Sequence, residues 1–503
     1  MVKKLISNKH PKIVMIGLDA ANIDTITFLS KSNKLPNLSK LFNTGNYIAI
    51  KSTAEYLSGS PWPTFYTGTN PGAHGLYHSI QWDSKEMKNK KVDKDWIDPK
   101  PFWRELGKNG PKPLIIDIPM ILSSQPFNGY EILSWGSHDR LIEPQTHPVQ
   151  LLDEIKKKFG LPKPLEEWGP LSFKEIQNME NKIRDITHKQ KKLVQYMMRN
   201  YEWDLFITVF GALHAGGHKL WDNTCLWTDS EDRADNKVKE EYYKLYVCLD
   251  EVIGEIASEI DKETIFILFS LHGMMANNSK NIILEKIIDS IMEKKNYSNK
   301  NSLKKYIPLK WKYNITRNIP EYFKKILINK RYEEKDWKNE PIIVQTSDQQ
   351  GYININLVNN ESHLVIKSAS EYDNMVEKIK KELIKYYDQD NNPLVAEVKE
   401  SSELYVGKNI EMLPDIIVKW EKEPVSDIQY VYSEKYGKIE LPNPGRSQDG
   451  RSGNHNSMGF MVINNMNREV VKKTIEIIDI VPTLYQLFKI QQPTKLEGEP
   501  FIK

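Results

Sequence analysis

The sequence IVMIGLD, residues 13–19, is an unbroken apolar run that ends in a carboxylate. Runs of this length are typical of strands that are buried on both faces of a parallel sheet. Similar runs occur at residues 205–210, 265–270 and 460–463. Helical patterns lie between them, the clearest at residues 172–200 and 237–260. This alternation predicts an α/β fold, with a mainly parallel central sheet and helices on both faces.

Potential metal ligands lie beside these runs or in turns between them: Asp19, Ser58, His214, His218, His272 and His455. Ligand sites in open α/β sheets gather beyond the carboxyl ends of the strands, so we expect these residues to form one metallo-enzyme site. His214 and His218 are four residues apart, which turns their rings the same way on a helix. Residues 215–217, Ala-Gly-Gly, indicate a small-residue break where a ligand can approach.

Three stretches, taken in order, resemble a known family. Residues 16–20, IGLDA, resemble its first strand and first metal ligand. Residues 58–75 contain SGSPWPTFYTG and PGAHG, which resemble its nucleophile turn and the helix that follows. Residues 477–484, IIDIVPTL, resemble its last helix. The family is the alkaline phosphatase superfamily, in particular its type I phosphodiesterase/nucleotide pyrophosphatase branch.

The resemblance implies that Ser58 is the catalytic nucleophile, because it lies at the family's spacing before Gly68. A serine before a helix also has an ordinary role as its N-cap. In favour of catalysis, the helix would point its N-terminal amides at a bound anion, and a nearby metal would lower the pKa of the hydroxyl. Ser60 is the alternative nucleophile.

The resemblance also implies one or two divalent metal ions. His214, His218 and His455 would form a first site suited to zinc, with manganese as an alternative. Asp19, Ser58 and His272 would form a second site. The family has Asp at the positions of His214 and Leu271, so two of its usual three carboxylates are missing here. Three outcomes stay open: a weakly bound second ion, a second site completed by Asp222 or Asp139, or an enzyme that uses one ion.

Three further residues are candidates for substrate binding: Trp62, His138 and Asp222. Trp62 flanks the nucleophile motif, although aromatic residues more often simply pack. His138 follows a predicted strand, and its alternative reading is a surface-loop histidine. Asp222 continues the helical face of His214 and His218. His74 is expected to serve packing and the local turn.

The composition changes after residue 275 and becomes rich in Lys and Asn. We therefore predict a core made of residues 1–275 and 405–503, interrupted by an insertion or cap region at residues 276–404. The insertion is either a lid over the site or a solvated excursion. An apolar run at residues 413–420 is read as the point where the core has resumed.

The 70 basic and 67 acidic residues give a net charge of +3, which argues against a general nucleic-acid binder. Two cysteines do not make a disulfide framework. The first 12 residues lack the apolar core of a secretory signal, and no apolar run is long enough for a membrane span. A cytoplasmic location is the expectation.

Together these features predict a metal-dependent hydrolase of phosphate esters, preferentially diesters, that acts through a phosphoseryl intermediate on Ser58. The partner would be a small anionic phosphoester. The alternatives are a catalytically impaired binding protein on the same scaffold, a phosphoryl-group transferase, and a sulfatase-like hydrolase. The leaving group and the oligomeric state are left open.

Overall fold

The computed structural model describes residues 10–136, 141–163, 169–226, 236–293, 337, 340–345, 347–356, 368–441 and 450–503. Its strands are β1 (Ile13–Leu18), β2 (Asn46–Lys51), β3 (Ile80–Asp83), β4 (Lys88–Lys91), β5 (Pro113–Ile116), β6 (Tyr130–Leu133), β7 (Gln145–His147), β8 (Leu205–Phe210), β9 (Ile265–Ser270), β10 (Gly273–Ala276), β11 (Ile342–Val344), β12 (Gly351–Ile355), β13 (Tyr387–Asp388), β14 (Val395–Glu400), β15 (Ile416–Trp420), β16 (Tyr430–Ser433), β17 (Gly437–Glu440), β18 (Gly453–Asn456), β19 (Met458–Asn464) and β20 (Thr474–Glu476).

The α-helices are α1 (Ile23–Lys31), α2 (Pro36–Thr44), α3 (Pro61–Thr67), α4 (Pro71–His74), α5 (Phe102–Lys108), α6 (Leu151–Phe159), α7 (Phe173–Asn200), α8 (Ala212–Leu220), α9 (Lys237–Ser258), α10 (Asn281–Ile291), α11 (Ala369–Leu383), α12 (Ser401–Leu404) and α13 (Ile480–Phe488). The predicted helices at residues 172–200 and 237–260 are α7 and α9. Helix α7 begins at a capping box, in which Ser172 and Glu175 satisfy each other's backbone N–H groups.

The central sheet confirms the predicted fold class. Within the described residues it has nine strands, in the order β20-β2-β19-β9-β1-β8-β5-β6-β7. β1 lies in the middle and pairs in parallel with β8 and β9. Alternate residues of β1 point to opposite faces, so Val14 and Ile16 pack into one apolar core while Ile13 and Met15 pack into the other. A strand buried on both faces has to be apolar throughout, which is the pattern of residues 13–18.

Two connections bring the later parts of the chain to the carboxyl end of β1. Strand β9 runs into β10, and β10 forms a two-stranded antiparallel ribbon with β18. In this ribbon Met274 lies opposite His455. Helix α8 follows β8 directly. These connections place the ends of β1, β8 and β9 beside the ribbon.

A smaller antiparallel sheet has the strand order β11-β12-β15-β14. It shares an apolar core with α10 and α11, to which Leu284, Ile353 and Ile379 contribute. Because β15 pairs with β12 and β14, residues 416–420 belong to this sheet and not to the central one. The apolar run at residues 413–420 thus does not mark a return to the central sheet, while the division into a core of residues 1–275 and 405–503 and an insertion at residues 276–404 stays a prediction. An apolar strand has the same appearance in either sheet, so the sequence pattern could not assign it. Much of the predicted insertion, including residues 294–336, lies outside the described residues.

In the parts of the chain that the structure describes, no helix combines the length and the apolar character needed to cross a lipid bilayer.

Candidate metal centre and nucleophile

Four histidines from three parts of the chain converge in one buried cluster. The ring centroids of His214 and His455 are 4.6 Å apart, those of His218 and His455 are 5.0 Å apart, and those of His272 and His455 are 4.4 Å apart. One ring nitrogen from each of His214, His218 and His455 lies within 4.8 Å of the others. The structure thus places four of the candidate ligands, from distant segments of the chain, beside one another.

Helix α8 carries His214 and His218 on one face, and it packs closely against β18. The Nδ1–H group of His218 donates to the carbonyl oxygen of Gly453 at 3.0 Å. A Cβ atom at Gly453 would overlap the carbonyl oxygen of Gly217, so this approach requires glycine. The contact brings the strand that carries His455 against the helix that carries His218.

The predicted break at residues 215–217 does not exist, because all three residues lie inside α8. A Cβ atom at Gly216 would overlap Leu245 of α9, and one at Gly217 would overlap Met274 of β10. The small residues thus allow close packing of α8 against its neighbours. They do not provide an opening for a ligand.

Asp19 lies at the end of β1 and is only 1% exposed. Its Oδ2 accepts a hydrogen bond from Nδ1 of His214 at 2.8 Å, and its Oδ1 accepts one from Nε1 of Trp62 at 2.8 Å. Nε2 of His272 lies 3.4 Å from the same Oδ1. Burial by itself would raise the pKa of Asp19, but His214 and then His272 hold it well below its ordinary value. Asp19 is therefore an ionised carboxylate that orients the surrounding rings.

The chemistry of the cluster fits a divalent metal ion. Burial lowers the pKa of both His218 and His455, which keeps these imidazoles neutral, the form that binds metals. Nε2 of His214 and Nε2 of His455 face each other at 2.7 Å. Nδ1 of His455 is buried and has no hydrogen-bond partner among the described residues. With Nδ1 of His214 and His218 engaged as donors, their Nε2 atoms are the candidate ligands.

Ser58 lies in the turn before α3 and is 5% exposed. Its backbone N–H donates to the hydroxyl of Tyr352 at 3.2 Å. Ser60 is completely buried, and its hydroxyl donates to the carbonyl oxygen of Leu57 at 2.7 Å. The hydroxyl of Ser60 is therefore held by contacts next to the turn, and the choice of Ser58 over Ser60 stays a prediction.

Helix α3 differs from the predicted anion-binding helix. It is seven residues long and begins Pro61-Trp62-Pro63, so two of its first three residues have no N–H group. Trp62 was predicted to line a substrate pocket, but its ring packs edge-on against Phe65 and Phe269 while its N–H group binds Asp19. This bond connects the first turn of the helix that follows Ser58 to the end of β1.

The other predicted site residues have separate roles or cannot be described. Asp222 caps a short 3₁₀ helix at Asn223–Cys225, where its Oδ1 accepts a hydrogen bond from the backbone N–H of Thr224 at 2.8 Å. Leu271 is fully buried in apolar surroundings, as expected of a residue that cannot bind metal. His138 and Asp139 lie outside the described residues. His74 binds Thr64 and the backbone of Leu76, in agreement with its predicted structural role.

Sequence reasoning missed a set of contacts that residues 348–352 make with this site. Tyr352 contacts Ser58, and Gln349 donates a hydrogen bond to the carbonyl oxygen of His455. Asp348 pairs with Arg451 at 3.0 Å. The polar run QQGY at residues 349–352 is the only trace of these contacts in the sequence, and it does not specify a partner.

The family model for type I phosphodiesterase/nucleotide pyrophosphatase matches residues 13–436. The chain belongs to this family. The match includes all the candidate ligands except His455. Membership in the type I phosphodiesterase/nucleotide pyrophosphatase family, within the alkaline phosphatase superfamily, supports phosphate-ester hydrolysis as the class of activity.

Two solved structures, each with a TM-score above 0.5, agree with the fold of this family member. Phosphonoacetate hydrolase from Sinorhizobium meliloti 1021, in complex with phosphonoacetate, has a TM-score of 0.54 at 11% identity and covers 95% of both chains. Wild-type alkaline phosphatase PafA has a TM-score of 0.53 at 13% identity and covers 98% of both chains. Human ectonucleotide pyrophosphatase/phosphodiesterase 5 has a TM-score of 0.49 at 12% identity and covers 97% of both chains. No curated protein sequence matches this chain.

Proposed function

We propose that this chain is a metal-dependent hydrolase of phosphate esters, with phosphodiesters as its preferred class and Ser58 as its nucleophile. The observation that carries the proposal is the buried group of His214, His218 and His455, whose ring nitrogens lie within 4.8 Å of one another. Family membership supplies the reaction class, and the histidine group supplies the reason to expect a metal.

One ion suits the described residues better than two. His214, His218 and His455 would hold it, and three neutral imidazoles are a donor set suited to zinc, with manganese as the alternative. Both oxygens of Asp19 are occupied by hydrogen bonds from His214 and Trp62. With one carboxylate in the cluster, a second cation would be offset by little negative charge. A bound ion would act as a Lewis acid toward the oxygen that leaves phosphorus.

The remaining chemistry belongs to the protein. Ser58 loses its hydroxyl proton and forms a bond to phosphorus while the ester bond to the leaving oxygen breaks, so one alcohol departs with a proton and the phosphoseryl intermediate keeps the second ester group of the diester. Water then attacks phosphorus, the bond to Ser58 breaks, the serine hydroxyl is restored and a phosphomonoester leaves. Asp19 holds His214 in one tautomer throughout, because its carboxylate accepts a hydrogen bond from the protonated Nδ1 of the ring. Burial of the cluster keeps these hydrogen bonds in a medium of low polarity, where they orient side chains strongly.

The test compares Ser58→Ala with Ser60→Ala in the full chain loaded with zinc or manganese. A chromogenic aryl phosphodiester, an aryl phosphomonoester and an aryl sulfate are the substrates. Ser58→Ala should lower turnover of the preferred substrate on the order of 10³-fold or more while the metal content stays at the wild-type level. Ser60→Ala, which removes the contacts of the buried hydroxyl with Leu57 and Thr53, should retain turnover once folded. A Ser58→Ala variant that keeps most of its activity contradicts the nucleophile assignment.

One specific observation favours a second candidate function. The buried Leu271 and the one carboxylate, Asp19, that the described residues contribute to the cluster would also be found in a binding protein that has lost catalysis on this scaffold. Such a protein would hold phosphoester ligands without turning them over. Elemental analysis together with the substrate panel separates the two functions, because the hydrolase should contain a transition metal and release aryl alcohol. The cytoplasmic location and the identity of the ion stay predictions of the sequence.

A further inference from the structure

One segment of the insertion contacts both halves of the candidate site. We call residues 347–352 the bridging segment. It ends in the first two residues of β12, where Gly351 pairs with Val418 and Tyr352 pairs with Ile417 of β15. A Cβ atom at Gly351 would lie 2.6 Å from Leu284 of α10, so the segment is packed tightly into the smaller sheet. It therefore presents its polar side chains from a rigid support.

The first contacts are with the strand that carries His455. The side-chain amide of Gln349 donates to the carbonyl oxygen of His455, and Gln349 is itself buried. The side-chain amide of Asn454 donates to the backbone oxygen of Asp348 at 2.8 Å. Two adjacent residues of β18 are thus fixed by two adjacent residues of the bridging segment.

The second contacts are with the turn that carries Ser58. The hydroxyl of Tyr352 accepts a hydrogen bond from the backbone N–H of Ser58 at 3.2 Å. The side-chain amide of Gln350 donates to the carbonyl oxygens of Ala54 at 2.7 Å and Glu55 at 3.1 Å, just before the turn. The ring of Tyr352 is fully buried and meets Tyr77 edge-on, with centroids 5.4 Å apart. Tyr352 therefore has little room to move.

Charged groups add a third set of contacts, between the approach to β18 and the segment that follows the Ser58 turn. The carboxylate of Asp348 lies 3.0 Å from Arg451 and 3.5 Å from His78. Arg451 comes two residues before β18, and His78 follows the nucleophile turn and α4 along the chain. Asp348 thus connects the approach to His455 with the segment downstream of Ser58.

From these contacts we infer that the bridging segment is a positioning element of the active site, in which Tyr352 orients Ser58 and Gln349 orients His455. This inference rests on the proposed function, because it assumes that Ser58 reacts and that His455 binds metal. Neither Tyr352 nor Gln349 needs to touch the substrate. The two residues act on different steps, since one supports the nucleophile and the other supports a metal ligand.

The experiment measures two quantities on two variants of the full chain. Tyr352→Phe removes only the hydroxyl, and it should lower kcat for the aryl phosphodiester about 10- to 100-fold, as expected for a nucleophile held less accurately. KM and zinc affinity, measured by competition with a chromogenic chelator, should stay within about twofold of the wild type for this variant. Gln349→Met should lower zinc affinity about tenfold, yet at saturating zinc its kcat should approach the wild-type value.

Tyr77→Phe is the matched control. Its hydroxyl donates to Gln345 at 2.7 Å and its ring meets Tyr352 edge-on, but no hydrogen bond joins its hydroxyl to Ser58 in the described structure. It should leave kcat and zinc affinity unchanged even if it costs some stability. Thermal unfolding of every variant identifies a variant that fails to fold, and the other variant then carries the test.

The outcomes separate the inference from the proposed function. If wild-type protein turns over the diester and Ser58→Ala does not, but Tyr352→Phe and Gln349→Met both behave like the wild type, the inference is wrong and the proposed function stands. The inference is also wrong if Tyr352→Phe and Tyr77→Phe lower kcat equally. If the wild type hydrolyses none of the substrates with zinc or manganese, both the proposed function and the inference fall.

Discussion

Asp19→Asn is the substitution that most directly tests the orientation of the metal ligands. The two carboxylate oxygens of Asp19 accept N–H groups from His214 and Trp62, each at 2.8 Å. An asparagine has one oxygen and one NH₂ group, so one of the two N–H groups must then face another donor. In a site that is 1% exposed, no water replaces the lost acceptor easily.

The expected size follows from that geometry. Removing the carboxylate that orients a metal-binding histidine lowers metal affinity about 10- to 100-fold. That range corresponds to about 1.4–2.8 kcal/mol of binding free energy. The unsatisfied donor should in addition lower the free energy of unfolding of the metal-free protein by about 1–3 kcal/mol. The two effects are measured separately, by zinc competition with a chelator and by urea unfolding in excess chelator.

Asp250→Asn is the matched control. Asp250 is also a buried carboxylate with three donors, the backbone N–H groups of Asn37 and Leu38 and the side-chain amide of Asn37. It anchors the start of α2 and belongs to no candidate ligand set, so its substitution should lower stability without changing zinc affinity. Unchanged zinc affinity in Asp19→Asn would refute the orienting role. A fall from two bound ions to one would show that Asp19 is itself a ligand and that the one-ion arrangement is wrong.

Two further predictions concern the supports of the site. In Gly453→Ala the new methyl group would overlap the carbonyl oxygen of Gly217 and push β18 away from α8, so zinc binding should be lost and stability should fall by about 1–3 kcal/mol. Gly45→Ala is the control, because its methyl group would meet Val462 of β19 and neither α8 nor β18, so this variant should lose stability but keep zinc. Equal zinc binding in both variants would contradict the close-packing argument. Burial lowers the pKa of His74 to about 3. Between that pH and about 6.5, His74 binds a proton in the unfolded chain but not in the folded protein. The free energy of unfolding should therefore fall by about 1.4 kcal/mol for each pH unit below about 6.5. Urea unfolding of His74→Gln should show a smaller pH slope between pH 6.5 and 4, and an identical slope would contradict the assignment.

The sequence alone was enough to predict the central sheet, the long helices and which histidines are candidate ligands. Residues 13–18 had to be apolar throughout because both faces of β1 are covered, and that requirement is visible as a local pattern. The four-residue spacing of His214 and His218 is also a local pattern, because residues four apart lie on the same face of a helix. Such features depend on neighbours in the chain, which any reader of the sequence can see.

Tertiary structure decided the contacts between residues that are distant in the sequence. Three such features have no periodic pattern in the sequence. They are the hydrogen bond from Trp62 to Asp19, the glycine contact between α8 and β18, and the place of residues 416–420 in the smaller sheet. The hydroxyl of Tyr352 and the N–H of Ser58 are 294 residues apart in the chain. A polar side chain has the same appearance in a sequence whether it faces water or a buried partner, because only the packed chain determines which hydrogen bonds replace those to water.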